Sequence, residues 1–225
     1  MKHFALILLL APLAACAAPG EPSGLLSSYE GLGATSNGLR SSLAERREDD
    51  ALEALGRIAI QPTQIAAGPD APAAQVKAVV AEARPTGRAG SAVSAAAGFF
   101  IPGPVGVRLP GALGGLTAEA EMVGADGRQL AALVWSRNAT AVGTDDPSLS
   151  RVGDALQFAE AFGDAAGKAL SPKDRPSGPV PKPDPCAEYG PRLRVEGYAA
   201  RFITNLYVPQ ASGARPAAEG QEAAR

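Results

Sequence analysis

Residues 116–138 contain the pattern that most constrains the fold. The stretch "LTAEAEMVG" alternates apolar and polar residues, and "RQLAALVWSRNAT" follows Asp126-Gly127. Alternation with a period of two is typical of strands, and Asp-Gly favours a hairpin turn because glycine adopts positive φ. The sequence therefore predicts an antiparallel hairpin anchored by Trp135. Its inward residues would be Leu116, Ala118, Ala120 and Met122, and its outward residues Thr117, Glu119 and Glu121.

A helical pattern follows the hairpin. Asp146 is a suitable N-cap and Pro147 suits the first helical position, so a helix is predicted to begin here and to end at Ser171-Pro172. Apolar residues recur every three or four positions, as expected for a helix packed on a sheet. They are Leu149, Val152, Leu156, Ala159, Phe162, Ala166 and Leu170.

Weaker patterns predict the remaining elements. Residues 42–55 are interpreted as a short helix, and residues 57–66 and 75–84 as two strands. The segment between these strands is too short for a crossover helix, so they are expected to form a hairpin. Residues 85–115 contain many Gly and Pro residues, and no regular element is expected there. The fold class is therefore α+β: a small antiparallel or mixed sheet, an amphipathic helix on one face, and long Pro/Gly-rich tails.

Composition limits the core and the partners. Hydrophobic residues make up 46% of the chain but aromatic residues only 5%, so much of the apolar content is alanine and the core should be thin. The chain contains 26 Gly and 20 Pro, which favours extensive loops. Its formal charge is −2 and no basic stripe occurs, so nucleic acid is not an expected partner.

The first residues have the order of a secretory signal peptide. Lys2 is followed by an apolar run and then by small residues. The run from Phe4 to Ala18 has 15 residues, fewer than the roughly 20 that a bilayer span needs. Two processing routes remain open. Ala15-Cys16-Ala17 fits ordinary cleavage after Ala17, whereas a cysteine at this position favours the alternative, a lipoprotein cleavage before Cys16.

Leu13-Ala14-Ala15-Cys16 resembles the bacterial lipobox. That resemblance implies acylation of Cys16, anchoring through its acyl chains, and sorting to the outer membrane. Cys186 is the other of the two cysteines, so it would be an isolated thiol or would form an intermolecular bridge. His3 is the only histidine and would leave with the signal peptide, which removes the commonest general base.

No catalytic, cofactor-binding or metal-binding residues are predicted. Asp145 and Asp146 are adjacent and would point in different directions, so a helix start explains them better than acid–base chemistry. The apolar segment Phe99, Phe100 and Ile101 either covers the sheet or forms an exposed interaction patch. Arg84, Arg88 and Arg108 flank this segment and are interpreted as rim contacts or solubilising charges.

Several segments together resemble the DUF3313 family of bacterial lipoproteins. They are "GLLSSYEGL", "RIAIQPTQI", "ARPTGRAGSAV", "LTAEAEMVGADGRQLAALVWS" and "GDALQFAEAFGDAAGKAL", between Gly24 and Leu170. The resemblance implies an α+β layer with antiparallel strands and a helix on one face, and no catalytic residues. Family members typically carry a helix and a further strand after the first strand, where this chain has only residues 67–75.

These observations predict a domain order and a role. Residues 1–15 would be a lipoprotein signal peptide, 16–41 a tether, 42–171 the DUF3313-like domain, and 172–225 a Pro-rich, partly disordered extension. The expected protein is a non-enzymatic binding or envelope-organising module. It would be anchored in the outer membrane, face the periplasm and contact an unknown envelope protein. The alternative is a periplasmic enzyme acting on an envelope component.

Overall fold

The computed structural model describes residues 22–37, 41–53, 57–60, 73–100, 106–143, 145–173, 194–209 and 211. Within these residues the main element is a six-stranded sheet. Its strands are β1 (Gly33–Asn37), β2 (Ser41–Arg47), β3 (Arg57–Ile60), β4 (Ala73–Arg84), β6 (Gly115–Val123) and β7 (Gln129–Asn138). They lie side by side in the order β1-β2-β7-β6-β4-β3. Two short strands, β5 (Gly106–Val107) and β8 (Val142–Gly143), pair separately.

The predicted hairpin forms the centre of the sheet. β6 and β7 pair antiparallel, and Gly127 in the connecting turn has a φ of 79°. The four residues predicted to face inward are buried, and so is Trp135. The outward assignment was wrong: Thr117, Glu119 and Glu121 are also buried, because a second layer covers that face.

The second layer comes from the segment predicted as a tether. Residues 22–32 lie across β6 and β7, and the chain then enters the sheet as β1. Leu26 is buried against Ala132 and Val134, with Tyr29 and Leu32 beside it. We call residues 22–32 the N-terminal strap. The helix predicted over 42–55 was wrong for its first half, which is β2, and is correct only for the short helix α1 (Asp49–Glu53).

β3 and β4 are parallel rather than a hairpin. The described part of β3 is Arg57–Ile60, the predicted continuation over residues 61–66 lies outside the described residues, and β4 begins at Ala73. The described strands are separated by the 12 residues 61–72, which is the length that a parallel crossover requires. The sheet is consequently mixed, with a parallel edge strand beside five antiparallel strands. The connection itself, which includes most of the interval noted above, lies outside the described residues.

The predicted amphipathic helix packs on the other face. Helix α3 (Gly153–Ala169) begins later than Asp146, because residues 145–152 form a loop tied back to the helix by Gln157. Phe158 is buried, and the ring of Phe162 lies 6.0 Å from that of Trp135. The predicted stripe was wrong at Leu149, Val152 and Ala159, which are exposed, and it did not include Phe158. The helix ends at Ala169 with Leu170 as its C-cap, directly before the predicted end at Ser171-Pro172.

Two further helices lie at one end of the sheet. Helix α2 (Arg88–Gly98) contradicts the expectation that residues 85–115 lack regular structure, because "RAGSAVSAAAG" is a continuous run rich in helix-forming alanine. A 3₁₀ turn follows at Pro110–Ala112. Helix α4 (Val195–Thr204) belongs to the predicted extension, and the chain after it docks on the domain through Tyr207, whose N–H donates to the Pro147 carbonyl at 2.8 Å.

Candidate functional site

The strap is held by two carboxylates that project from one face of β6. Glu119 is fully buried and accepts three hydrogen bonds: from Ser23 N–H at 2.8 Å, Ser23 Oγ at 2.5 Å and Tyr29 Oη at 2.8 Å. Tyr29 Oη also accepts the backbone N–H groups of Gly24 and Leu25. The strap therefore folds around the Tyr29 hydroxyl, which in turn donates a hydrogen bond to the Glu119 carboxylate.

Glu121, two residues further along β6, binds the next part of the strap. It accepts Ser27 N–H at 2.8 Å, Ser27 Oγ at 2.6 Å and Gln129 Nε2 at 2.8 Å, and Lys77 Nζ lies 3.6 Å from its other oxygen. Burial by itself would raise the pKa of Glu121. The hydrogen bonds from Ser27 and Gln129, together with the Lys77 charge, outweigh burial and lower that pKa below its usual value.

The chemistry of this cluster favours holding over catalysis. Each of Ser23 and Ser27 donates its hydroxyl to a carboxylate, which is the pairing that a serine nucleophile and its base would need. A base whose pKa is lowered accepts a proton less readily, so Glu121 is poorly suited to activate Ser27. Both carboxylates already accept hydrogen bonds from the strap itself.

A second buried charge lies at the start of α3. Arg108 was interpreted as a rim or solubilising charge, but it is buried and forms a two-pronged ion pair with Asp154, at 2.8 and 3.0 Å. Asp154 also accepts the Gly114 N–H at 2.7 Å, and its own N–H donates to Thr86 Oγ1. These contacts join α3 to the segments before and after α2.

The adjacent carboxylates Asp145 and Asp146 point to different partners, as expected. Asp145 pairs with Arg137 at 2.6 Å and Asp146 with Arg201 of α4 at 3.0 Å. Burial raises the pKa of Asp146, and the Arg201 charge opposes this shift only in part. A helix start does not explain them, because α3 begins at Gly153. Their ion pairs attach the loop that follows the sheet to β7, through Arg137, and to α4, through Arg201.

The residues singled out by sequence have different outcomes. Cys16, Cys186 and Ile101 lie outside the described residues. Phe99 and Phe100 are 61% and 86% exposed, so these two do not cover the sheet. Their role in an interaction remains a prediction. The strap residues Ser23, Ser27 and Tyr29 were not predicted from the sequence. The signal that could have identified them is the pair Glu119 and Glu121, on a strand face for which no covering segment was predicted.

Among the described residues, no group of three or more His, Cys, Asp or Glu side chains is arranged to hold a metal ion. In the part of the chain that the structure describes, the helices are too short or too polar to cross a bilayer.

The fold is an α+β domain whose mixed sheet is covered by a helix on one face and by the strap on the other. A family model, DUF3313, "Protein of unknown function", matches residues 61–166. The predicted resemblance to DUF3313 is therefore confirmed over residues 61–166. The matched segment spans β4 to most of α3 and excludes the strap. No curated protein and no solved structure matched the chain.

Proposed function

We propose that this protein is a lipid-anchored lipoprotein of the bacterial outer membrane that faces the periplasm and works as a non-enzymatic binding or envelope-organising module. The observation that carries the proposal is "LLLAPLAAC", residues 8–16. It completes an apolar run too short to span a bilayer and ends in a cysteine preceded by small residues.

The position of the strap supports this assignment. The described fold begins at residue 22, and Ser23 is already bound to Glu119. Cleavage before Cys16 would leave the strap intact and would place the lipid seven residues ahead of Ser23. Three acyl chains would anchor such a protein firmly, because each buried CH₂ contributes about 0.8 kcal/mol.

The non-enzymatic part of the proposal is supported by the contacts of the buried polar groups. Glu119, Glu121, Arg108 and Asp154 all have partners within the fold, and those partners hold segments together. The periplasmic enzyme considered above would need a different arrangement, with a free nucleophile beside a base of raised pKa.

The test compares Cys16→Ser with Cys186→Ser in the bacterial host. Wild-type and Cys186→Ser proteins should gain the mass of the acyl groups, incorporate labelled palmitate and fractionate with the outer membrane. Cys16→Ser should lose all three properties. Unlabelled wild-type protein, or unchanged processing and fractionation of Cys16→Ser, would refute the anchor. Turnover of an envelope substrate by the purified protein would refute the non-enzymatic role.

A further inference from the structure

Helix α4 exposes its apolar side chains instead of burying them. Val195, Tyr198 and Phe202 are spaced three and four residues apart, so they share one face, and they are 81%, 61% and 87% exposed. The opposite face turns toward the protein, with Gly197 buried and Arg201 paired with Asp146. A surface helix normally has the reverse orientation, with its apolar stripe against the core.

Helix α2 has the same inverted orientation. Ser91 and Ser94 are buried, and Ser94 Oγ donates to the Gly90 carbonyl and accepts the Leu109 N–H. Val93 and the two phenylalanines that follow the helix are exposed instead. Small polar residues thus face the protein and large apolar residues face outward.

The two helices adjoin at their ends. Asn205, which ends α4 with a φ of 52°, lies against Gly98 at the end of α2: a Cβ on Gly98 would be 3.3 Å from the Asn205 side-chain nitrogen. The exposed residues Phe99, Phe100, Phe202 and Ile203 therefore lie within three residues of this junction. We call the exposed apolar residues on and beside the two helices the outer helix surface; they are Val93, Phe99, Phe100, Val195, Tyr198, Phe202 and Ile203.

We propose that the outer helix surface lies on the phospholipid bilayer, with its apolar side chains in the interfacial region. This proposal rests on the proposed lipid at Cys16. The proposed lipid would hold the domain close to the bilayer. The seven residues from Cys16 to Ser23 span at most about 25 Å, so the domain cannot leave the bilayer surface.

The outer helix surface lies near the end of the sheet that the anchor can reach. The strap begins level with Glu119, and the first residue of β6, Gly115, is only about 14 Å away along the strand. Gly115 pairs with Arg84, shortly before α2, and with Asn138, shortly before the loop that binds α4. The anchor can therefore reach the end of the sheet where both helices lie.

The anchor would also give the outer helix surface a high local concentration at the bilayer. An apolar surface tethered within about 25 Å of a bilayer meets it without the translational cost of finding a partner. Interfacial helices with Phe, Leu or Tyr on one face bind bilayers in proportion to the apolar area they bury. A bilayer is accordingly a better match for this surface than a second copy of the chain.

The test places a tryptophan on the surface and measures its contact with lipid. Phe202→Trp is compared with Val80→Trp, whose exposed side chain lies on β4 outside the outer helix surface. Both variants keep the buried Trp135 as a common background. The full-length processed proteins are reconstituted in vesicles of phosphatidylethanolamine and phosphatidylglycerol, with or without dibrominated acyl chains. We expect brominated lipid to quench the added emission of Phe202→Trp at least about threefold more than that of Val80→Trp.

Equal quenching of the two variants would overturn the proposal, and so would an unquenched Phe202→Trp that crosslinks to a second copy or to another protein. If Phe202→Trp does not fold, Phe100→Trp tests the same surface. A second measurement separates this proposal from the anchor. In the acylated Phe202→Trp protein, Phe100→Asp with Tyr198→Asp should lower the quenching by brominated lipid at least about threefold, while the acyl mass on Cys16 stays the same. Absence of acyl mass on Cys16 would refute the anchor, whereas unchanged quenching in the acylated protein would refute the surface.

Discussion

The two faces of the central hairpin are covered in different ways. On one face, α3 packs Phe158 and Phe162 against Leu116, Ala120 and Trp135. On the other face, the strap is fixed to Glu119 and Glu121 by hydrogen bonds to buried carboxylates, and Leu26 is its buried apolar residue. The same two strands thus bind one layer through apolar packing and the other through hydrogen bonds to carboxylates.

This difference teaches where each face is vulnerable. Apolar packing is non-directional, so the α3 face should respond to loss of volume at any of its large side chains. Charge-assisted hydrogen bonds are directional and depend on ionisation, so the strap face should respond to small chemical changes and to pH.

The α3 face should be most sensitive at Phe158. Phe158→Ala leaves a cavity beneath the helix, and we expect the free energy of unfolding to fall by about 4 kcal/mol. The change also removes the ring that Arg137 overlies at 4.7 Å. Urea unfolding measures the loss, and Phe202→Ala is the matched control because that ring is exposed. Similar losses for both variants would show that α3 does not depend on buried volume.

Arg108 tests whether the α3 side also depends on charge at its end. Arg108→Met leaves Asp154 buried without its cation, and we expect a loss of about 3 kcal/mol. Arg108→Met with Asp154→Leu should cost less than the single change, because no unpaired charge remains. Urea unfolding of the single and double variants makes the comparison. A double variant as unstable as the sum of two single variants would contradict the expected coupling.

Glu119 tests the strap face. Glu119→Gln keeps the size of the side chain but replaces one accepting oxygen with a donor, so Ser23 and Tyr29 lose charged partners. We expect a loss of about 2 kcal/mol and faster chymotrypsin cleavage after Tyr29. Glu82→Gln is the control, since Glu82 is exposed on β4. If the two variants were cleaved at equal rates, Glu119 would not hold the strap.

The pH dependence of the strap should follow Glu121, whose pKa is lowered from 4.5 in the folded protein. A lowered pKa stabilises the fold above pH 4.5, and this contribution is lost as pH falls through the folded-state value. Unfolding of wild type and Glu121→Gln should therefore be measured at pH 6 and at successively lower pH values. Wild type should lose its advantage on acidification, and an advantage that stays constant or grows would contradict the assignment.

The hairpin and one layer could be predicted because their signals are local. Asp126-Gly127 and the alternation from Leu116 define the turn and the two faces of the strands. Alternation shows which residues share a face but not whether that face is covered, which is why Glu119 and Glu121 were placed in solvent. Their partners in the strap lie 90 to 96 residues away in sequence, so no window around β6 contains the strap.

The remaining errors have similar causes. The parallel pairing of β3 depends on where β3 ends, and a difference of a few residues at Ile60 decides whether a crossover fits. For the candidate site, Phe99 and Phe100 were identified by composition, whereas the neighbouring α4 lies about 100 residues later. Their adjacency arises from the tertiary fold.

The strap that follows the proposed anchor forms a layer of the domain, and hydrogen–deuterium exchange measures how firmly it is held. The amides of Ser23 and Ser27 donate to buried carboxylates, so peptides from residues 22–32 should exchange slowly in the wild-type protein. Glu119→Gln should accelerate that exchange while leaving the β6–β7 hairpin protected. Complete exchange of the wild-type strap within seconds, with the hairpin still protected, would contradict the claim.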